Sequence, residues 1–157
     1  CEFCITNSTG FDTLPFLARK KLFFLNYVPI GYSWTFSKRV MLSFKWHYDL
    51  KNKRYLNLQE IFKMQLFKSL KTHEFIDKNI KLSEINKEEI LLLCNEFYTF
   101  YLHSKKLLNS KKQINVSKNF QNLLLKSELK SFHGKSFNAY LAISHLKKKK
   151  LDNFFLK

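Results

Sequence analysis

The sequence holds three glycines, two prolines and three cysteines, and each shortage removes a class of function. So few glycines cannot supply a Gly-rich phosphate loop or a nucleophile elbow, whose tight backbones need that residue at fixed places. Three cysteines do not make a disulfide framework. Cys1 and Cys4 form a C-E-F-C pair, but no second pair follows to complete a zinc site, and Cys94 lies in a helical pattern. His47, His73, His103, His133 and His145 are too scattered to act as metal partners, so neither metal nor cofactor is expected. Acidic residues are also few, 12 against 28 Lys and Arg. No two carboxylates share a setting that would tune one as acid and the other as base. Glu88 and Glu89 instead suit the first turn of a helix, where they offset its dipole. An enzyme is not expected. No apolar run is long enough to span a bilayer, because Arg19, Lys20 and Lys21 interrupt the N-terminal stretch. Neither a membrane partner nor a small-molecule substrate is expected.

What the chain has in abundance is lysine and phenylalanine. Hydrophobic residues make up 45% of its 157 residues, enough for a real core, and Phe alone reaches 17. The formal charge is +16, an excess that points to a polyanionic partner. The charge is uneven. Residues 101–157 carry 13 lysines against Glu128 and Asp152 alone, so the C-terminal third is the electropositive part. Lysine far outnumbers arginine, and residues with GC-rich codons (Gly, Pro and Ala) are scarce. This composition suits an AT-rich coding genome such as an organelle's.

Residues 1–36 read as aromatic and irregular, punctuated by Pro15, Pro29 and Gly31. In "VMLSFKWHYDL", Leu42, Phe44, Trp46 and Tyr48 alternate with Ser43, Lys45 and His47, the pattern of a half-buried strand. Asn57 with Glu60 makes a capping signature for a helix over roughly 58–72. Asn86 with Glu89 does the same for a second helix, whose stripe of Ile90, Leu93, Cys94, Phe97 and Tyr101 should run to about Leu108. "SKKQINVSKNFQN" is polar and reads as a loop. The runs "LLLKSELKSF" and "SFNAYLAIS" read as two strands joined at His133-Gly134 in a tight hairpin. The expected fold is α+β, a small antiparallel sheet with a C-terminal β-hairpin packed by helices. Residues 81–157 would form the domain, and residues 1–80 an aromatic-rich extension.

The C-terminal segment resembles the nineteenth protein family of the ribosomal small subunit. That family carries Asn-Gly-Lys-x-Phe, a strand, a short turn, and Gly-His-Lys-x-Gly-Glu-Phe. Here His133-Gly134-Lys135-Ser136-Phe137 matches the first element, departing at the Asn. Lys150, Leu151 and Phe154 fall on the second, and Leu146 falls where the family has Met. Lys148 and Lys149 replace Gly-His, Asp152 replaces Gly, and Asn153 replaces Glu. The resemblance implies a structural protein of the small-subunit head, here of mitochondrial type. It would bind small-subunit rRNA beside the thirteenth small-subunit protein. The expected RNA contacts are Lys111, Lys112, Lys118, Lys135 and Lys147, Lys148, Lys149 and Lys150 on phosphates, with Ser117 and His133 as polar contacts. Leu151, Phe154 and Phe155 also have the spacing of a sliding-clamp peptide, with Lys148 where its glutamine would stand. A DNA-maintenance protein is therefore the alternative.

Overall fold

A computed structural model of the chain describes residues 1–8, 10–133, 136–146 and 154–155. In chain order the elements are β1 (Phe3–Thr6), α1 (Thr13–Leu17), β2 (Lys21–Tyr27), β3 (Val40–Phe44), β4 (Trp46–Asp49), β5 (Arg54–Tyr55) and α2 (Leu58–Lys63). They continue with α3 (Thr72–Ile76), β6 (Ile80–Ser83), α4 (Lys87–Leu108), α5 (Lys111–Leu125) and β7 (Tyr140–Leu141). Single 3-10 turns stand at Ile30–Tyr32, Leu66–Lys68 and Lys130–Phe132.

Two sheets result. A parallel sheet has the order β1-β2-β3-β7, and an antiparallel sheet has the order β5-β4-β6. The chain is α+β, and its small antiparallel sheet is present. The parallel sheet explains why residues 1–36 look irregular in the sequence. Leu22, Phe23 and Phe24 are all fully buried, because β2 is covered on both faces and need not alternate. Phe23 stacks on Phe97 of α4 (5.3 Å between ring centroids), while Phe24 meets Trp34 (5.2 Å). The expected long strand over 40–50 is in fact two, broken at Lys45 and assigned to different sheets. Every residue of β3 is buried, including Ser43, whose hydroxyl donates to the Phe24 carbonyl at 3.3 Å.

Both expected capping boxes are in place. The Asn57 side chain accepts from the Glu60 amide (3.0 Å), and Asn86 accepts from Glu89 (2.9 Å). The first helix nonetheless stops at Lys63, short of the expected residue 72. Gln65 turns left-handed (φ 59°), which lets Phe62 and Phe67 stack face to face at 4.5 Å. Residues five apart on one helix point about 140° apart, so that stack requires the helix to end.

The C-terminal hairpin expected across His133 is replaced by a different arrangement. Residues 111–125, expected as loop and strand, form α5, and Tyr140–Leu141 pairs in parallel with β3. The reason is packing. Val116, Phe120 and Leu124 recur at four-residue spacing, and their burial against the core outweighs the polar residues between them. Ser110 starts the helix by accepting from the Gln113 amide at 3.3 Å. Gly134 and Lys135 lie outside the described residues. One hydrophobic core runs through both halves of the chain, joining Leu22 and Met41 to Phe97, Phe120 and Phe155. Among the described residues no helix is long and apolar enough to cross a membrane.

Candidate nucleic-acid interface

Between Glu96 and Glu128 the chain carries Lys105, Lys106, Lys111, Lys112, Lys118 and Lys126 and no acidic residue. All six are exposed, and among the described residues none of them forms an ion pair. The fold concentrates them by turning α4 back into α5 through Asn109 and Ser110. Lys105 and Lys106 stand in the last turn of α4, where they complement the helix dipole. Lys111 and Lys112 stand in the first turn of α5, where they oppose it and no acidic residue compensates. An arriving phosphate would relieve that repulsion.

The α4 end is shaped by a kink. His103 leaves the helical region (φ −127°, ψ 31°), and the ladder opens around it. Lys21 at the start of β2 fills the opening, donating its ammonium to the carbonyls of Phe100 and Tyr101 and to the Ser104 hydroxyl. A side chain inserted into the ladder is a recognised cause of kinking. Burial pushes the Lys21 ammonium below its usual pKa. A hollow beside the kink, about 520 Å³, is lined by Lys105, Lys106 and Asn109. Asn109 also lines a second cleft of about 360 Å³, with Ser117, Lys118 and Gln121 of α5 on one wall and Lys38, Phe137 and Asn138 on another.

The wall formed by residues 136–146 is clasped by one carboxylate. Glu96 of α4 accepts from the Tyr140 hydroxyl (3.0 Å), the Ile143 amide (3.1 Å) and the Ser144 amide (2.8 Å). Burial, then the nearby Glu96 charge and its hydrogen bond, raise the Tyr140 pKa. The segment is tied a second time by Asn138, whose amide donates to the Thr35 carbonyl at 2.8 Å. Removing the clasp should be costly, because three donors lose a charged acceptor. Glu96→Ala is expected to lower stability by about 2–3 kcal/mol, and Glu96→Gln by less. Native-state hydrogen exchange checks this: Ile143 and Ser144 amides should lose protection first, and unchanged protection refutes the clasp.

The expected site residues separate into three groups. Lys111, Lys112 and Lys118 are exposed on α5, and Ser117 lines the cleft, where it accepts from the Gln113 amide group at 3.4 Å. His133, expected to touch RNA, is buried, and both its ring nitrogens are engaged within the protein. Nε2 donates to the Gly31 carbonyl (2.8 Å), which leaves Nδ1 to accept from the Thr35 hydroxyl (3.0 Å). Burial lowers its pKa, consistent with this neutral tautomer. His133 therefore fastens the 31–35 loop. That loop is tight in its own right: a Cβ at Gly31 would lie 2.8 Å from the Phe67 carbonyl oxygen, so only glycine fits. Lys135, Lys147, Lys148, Lys149 and Lys150 fall outside the described residues.

Sequence reasoning missed Lys38, Asn109 and Asn138. Lys38 gives no local signal, since its place beside α5 depends on long-range contacts such as Asn138 with Thr35. Among the described residues no group of three or more His, Cys, Asp or Glu could hold a metal ion. No protein-family model, no curated protein and no solved structure matches the chain.

Proposed function

We propose that the chain is an RNA-binding structural protein of a ribonucleoprotein particle, the small subunit of a mitochondrial ribosome. The observation that carries the RNA-binding part is the run of exposed lysines, without an acidic residue between Glu96 and Glu128, that the chain folds around the α4–α5 corner and along α5. Four of these lysines, Lys105, Lys106, Lys111 and Lys112, stand at the turn, Lys118 lines the cleft with Asn109, Ser117, Gln121 and Asn138, and Lys126 ends α5; among the described residues none of the six forms an ion pair. Lysine ammoniums act as point charges that hold phosphates without reading sequence. The mechanism is charge neutralisation and shape fit, with no bond made or broken. The ribosomal part, with its rRNA partner, head position and neighbour, rests on the resemblance around residues 133–154. The mitochondrial location rests on the resemblance and on composition. The sliding-clamp alternative draws no support from Phe154 and Phe155, which are buried at 5% and 4% exposure against Trp46, Phe44 and Phe120. A clamp peptide must be free to leave the core.

Two measurements test the reading. Replacing Lys111, Lys112 and Lys118 together by Gln should weaken RNA binding by roughly a hundredfold at moderate salt. It should also reduce the slope of log K against log salt by about 2, since each lost phosphate contact on single-stranded RNA removes roughly 0.7. Fluorescence anisotropy between about 50 and 200 mM salt reads both, and an unchanged slope refutes the surface. Co-sedimentation of the native chain with small ribosomal subunits, abolished by ribonuclease, tests the particle.

A further inference from the structure

We propose that the cleft receives an unpaired stretch of RNA, with one base stacked on the ring of Phe36. This rests on the RNA-binding reading and narrows it from RNA in general to single strands. Phe36 is 53% exposed although its ring belongs to an ordered aromatic group. It stands edge-on to Phe16 (5.7 Å, 89°) and tilted against Trp34 (5.7 Å, 32°). The Arg39 guanidinium covers the Phe16 ring at 4.6 Å, and its Nη1 donates to the Phe16 carbonyl at 3.3 Å. The Phe36 ring is thus held by two other rings, with about half of the residue's surface exposed.

Its backbone is tied to a residue of the cleft wall by hydrogen bonds. The Asn138 side chain donates to the Phe36 carbonyl (3.3 Å), and the Asn138 amide donates to the Thr35 carbonyl (2.8 Å). Asn138 is itself a wall of the cleft, as is Lys38, two residues beyond Phe36. Lys118 and Ser117 line the same cleft from α5, and among the described residues no acidic one lines it. An open ring beside phosphate-holding lysines is the combination that binds single strands, where each base offers a face to stack and the backbone tracks the charge. A duplex keeps its bases within its own stack and presents no free face to such a ring.

The test uses the full chain with a labelled oligouridine of about ten nucleotides, the oligothymidine counterpart, and an RNA duplex of the same length. Phe36→Ala should weaken oligouridine binding roughly tenfold, within the range stacking on one base provides. Phe36→Trp should restore it, and the salt slope should stay as in the parent because no phosphate contact is lost. Equal weakening toward oligothymidine also supports the proposal, since the ring touches the base and not the sugar. Parent-like binding by Phe36→Ala, or equal weakening toward the duplex, overturns it. If the triple lysine variant loses oligouridine while Phe36→Ala keeps it, the stacking ring fails and the RNA-binding reading stands. If the parent binds none of the three probes, both fail.

Discussion

Phe120→Ala lowers the unfolding free energy by about 3–5 kcal/mol, the range for removing a buried phenylalanine ring. Phe120 is fully buried, and it is where α5 meets the rest of the molecule. Its ring lies 5.6 Å from Phe44 of β3, 5.6 Å from Phe137, 6.3 Å from Phe62 of α2 and 6.4 Å from Phe155. These neighbours come from separate elements, so no single shift can refill the space, and the cavity term adds to the lost transfer energy. Against a typical stability of about 5–15 kcal/mol this is a large fraction. Urea unfolding followed by the fluorescence of Trp34 and Trp46 measures it. Phe132→Ala is the control, because that ring is 67% exposed and its loss should cost little. A loss below about 1 kcal/mol at Phe120 refutes its place as the junction.

The second large effect is acid sensitivity. Burial pushes His47 and His145 down to about 4 each. At His47, donation from Nδ1 to the Lys45 carbonyl (3.1 Å) partly opposes that shift. His145 lies against the Trp46 ring at 5.0 Å. Both folded values are below the unfolded value of about 6.5, so the unfolded chain binds these protons first. The stability they allow is complete above pH 6.5. It falls as the pH drops from 6.5 toward 4, and stops falling once the folded histidines also protonate. Between pH 8 and pH 5 each should cost about 2 kcal/mol. The carboxylate effects lie lower: Asp49 and Glu60 are held below their usual values by hydrogen bonds from Asn52 and Arg54. Their contribution is complete above the ordinary carboxylate range and is lost only as the pH falls below about 4, where the unfolded carboxylates protonate first. Urea midpoints at pH 8 and pH 5 should differ accordingly, and His145→Leu should remove about half of the dependence. A midpoint that does not move across that window contradicts the neutral burial of both rings.

Such buried histidines are hard to recognise in a sequence. His47 sits on the polar side of an alternating run, which suggests exposure. The antiparallel sheet packs that side against Phe75 (5.7 Å), and the ring is enclosed. Likewise, five polar side chains flank Phe120 in "VSKNFQN", so a residue-by-residue reading finds a loop where packing makes a helix. The cap pairs Asn57–Glu60 and Asn86–Glu89 were legible, because a capping box is completed within four residues and needs no distant partner.

The same division holds for the candidate site. Charge is additive along a chain, so the sequence alone determined that the excess positive charge lies in the last third and includes Lys111, Lys112 and Lys118. It also determined the α+β class, through local periodicity and caps. Only the tertiary structure decided that the polar segment is α5 and that β7 joins β3. It also turned His133 inward and carried Lys38 to the wall of the α5 cleft. The physical reason is range. Each of these outcomes depends on contacts such as Asn138 with Thr35 or Glu96 with Ser144, between groups far apart in sequence whose pairing no local pattern encodes.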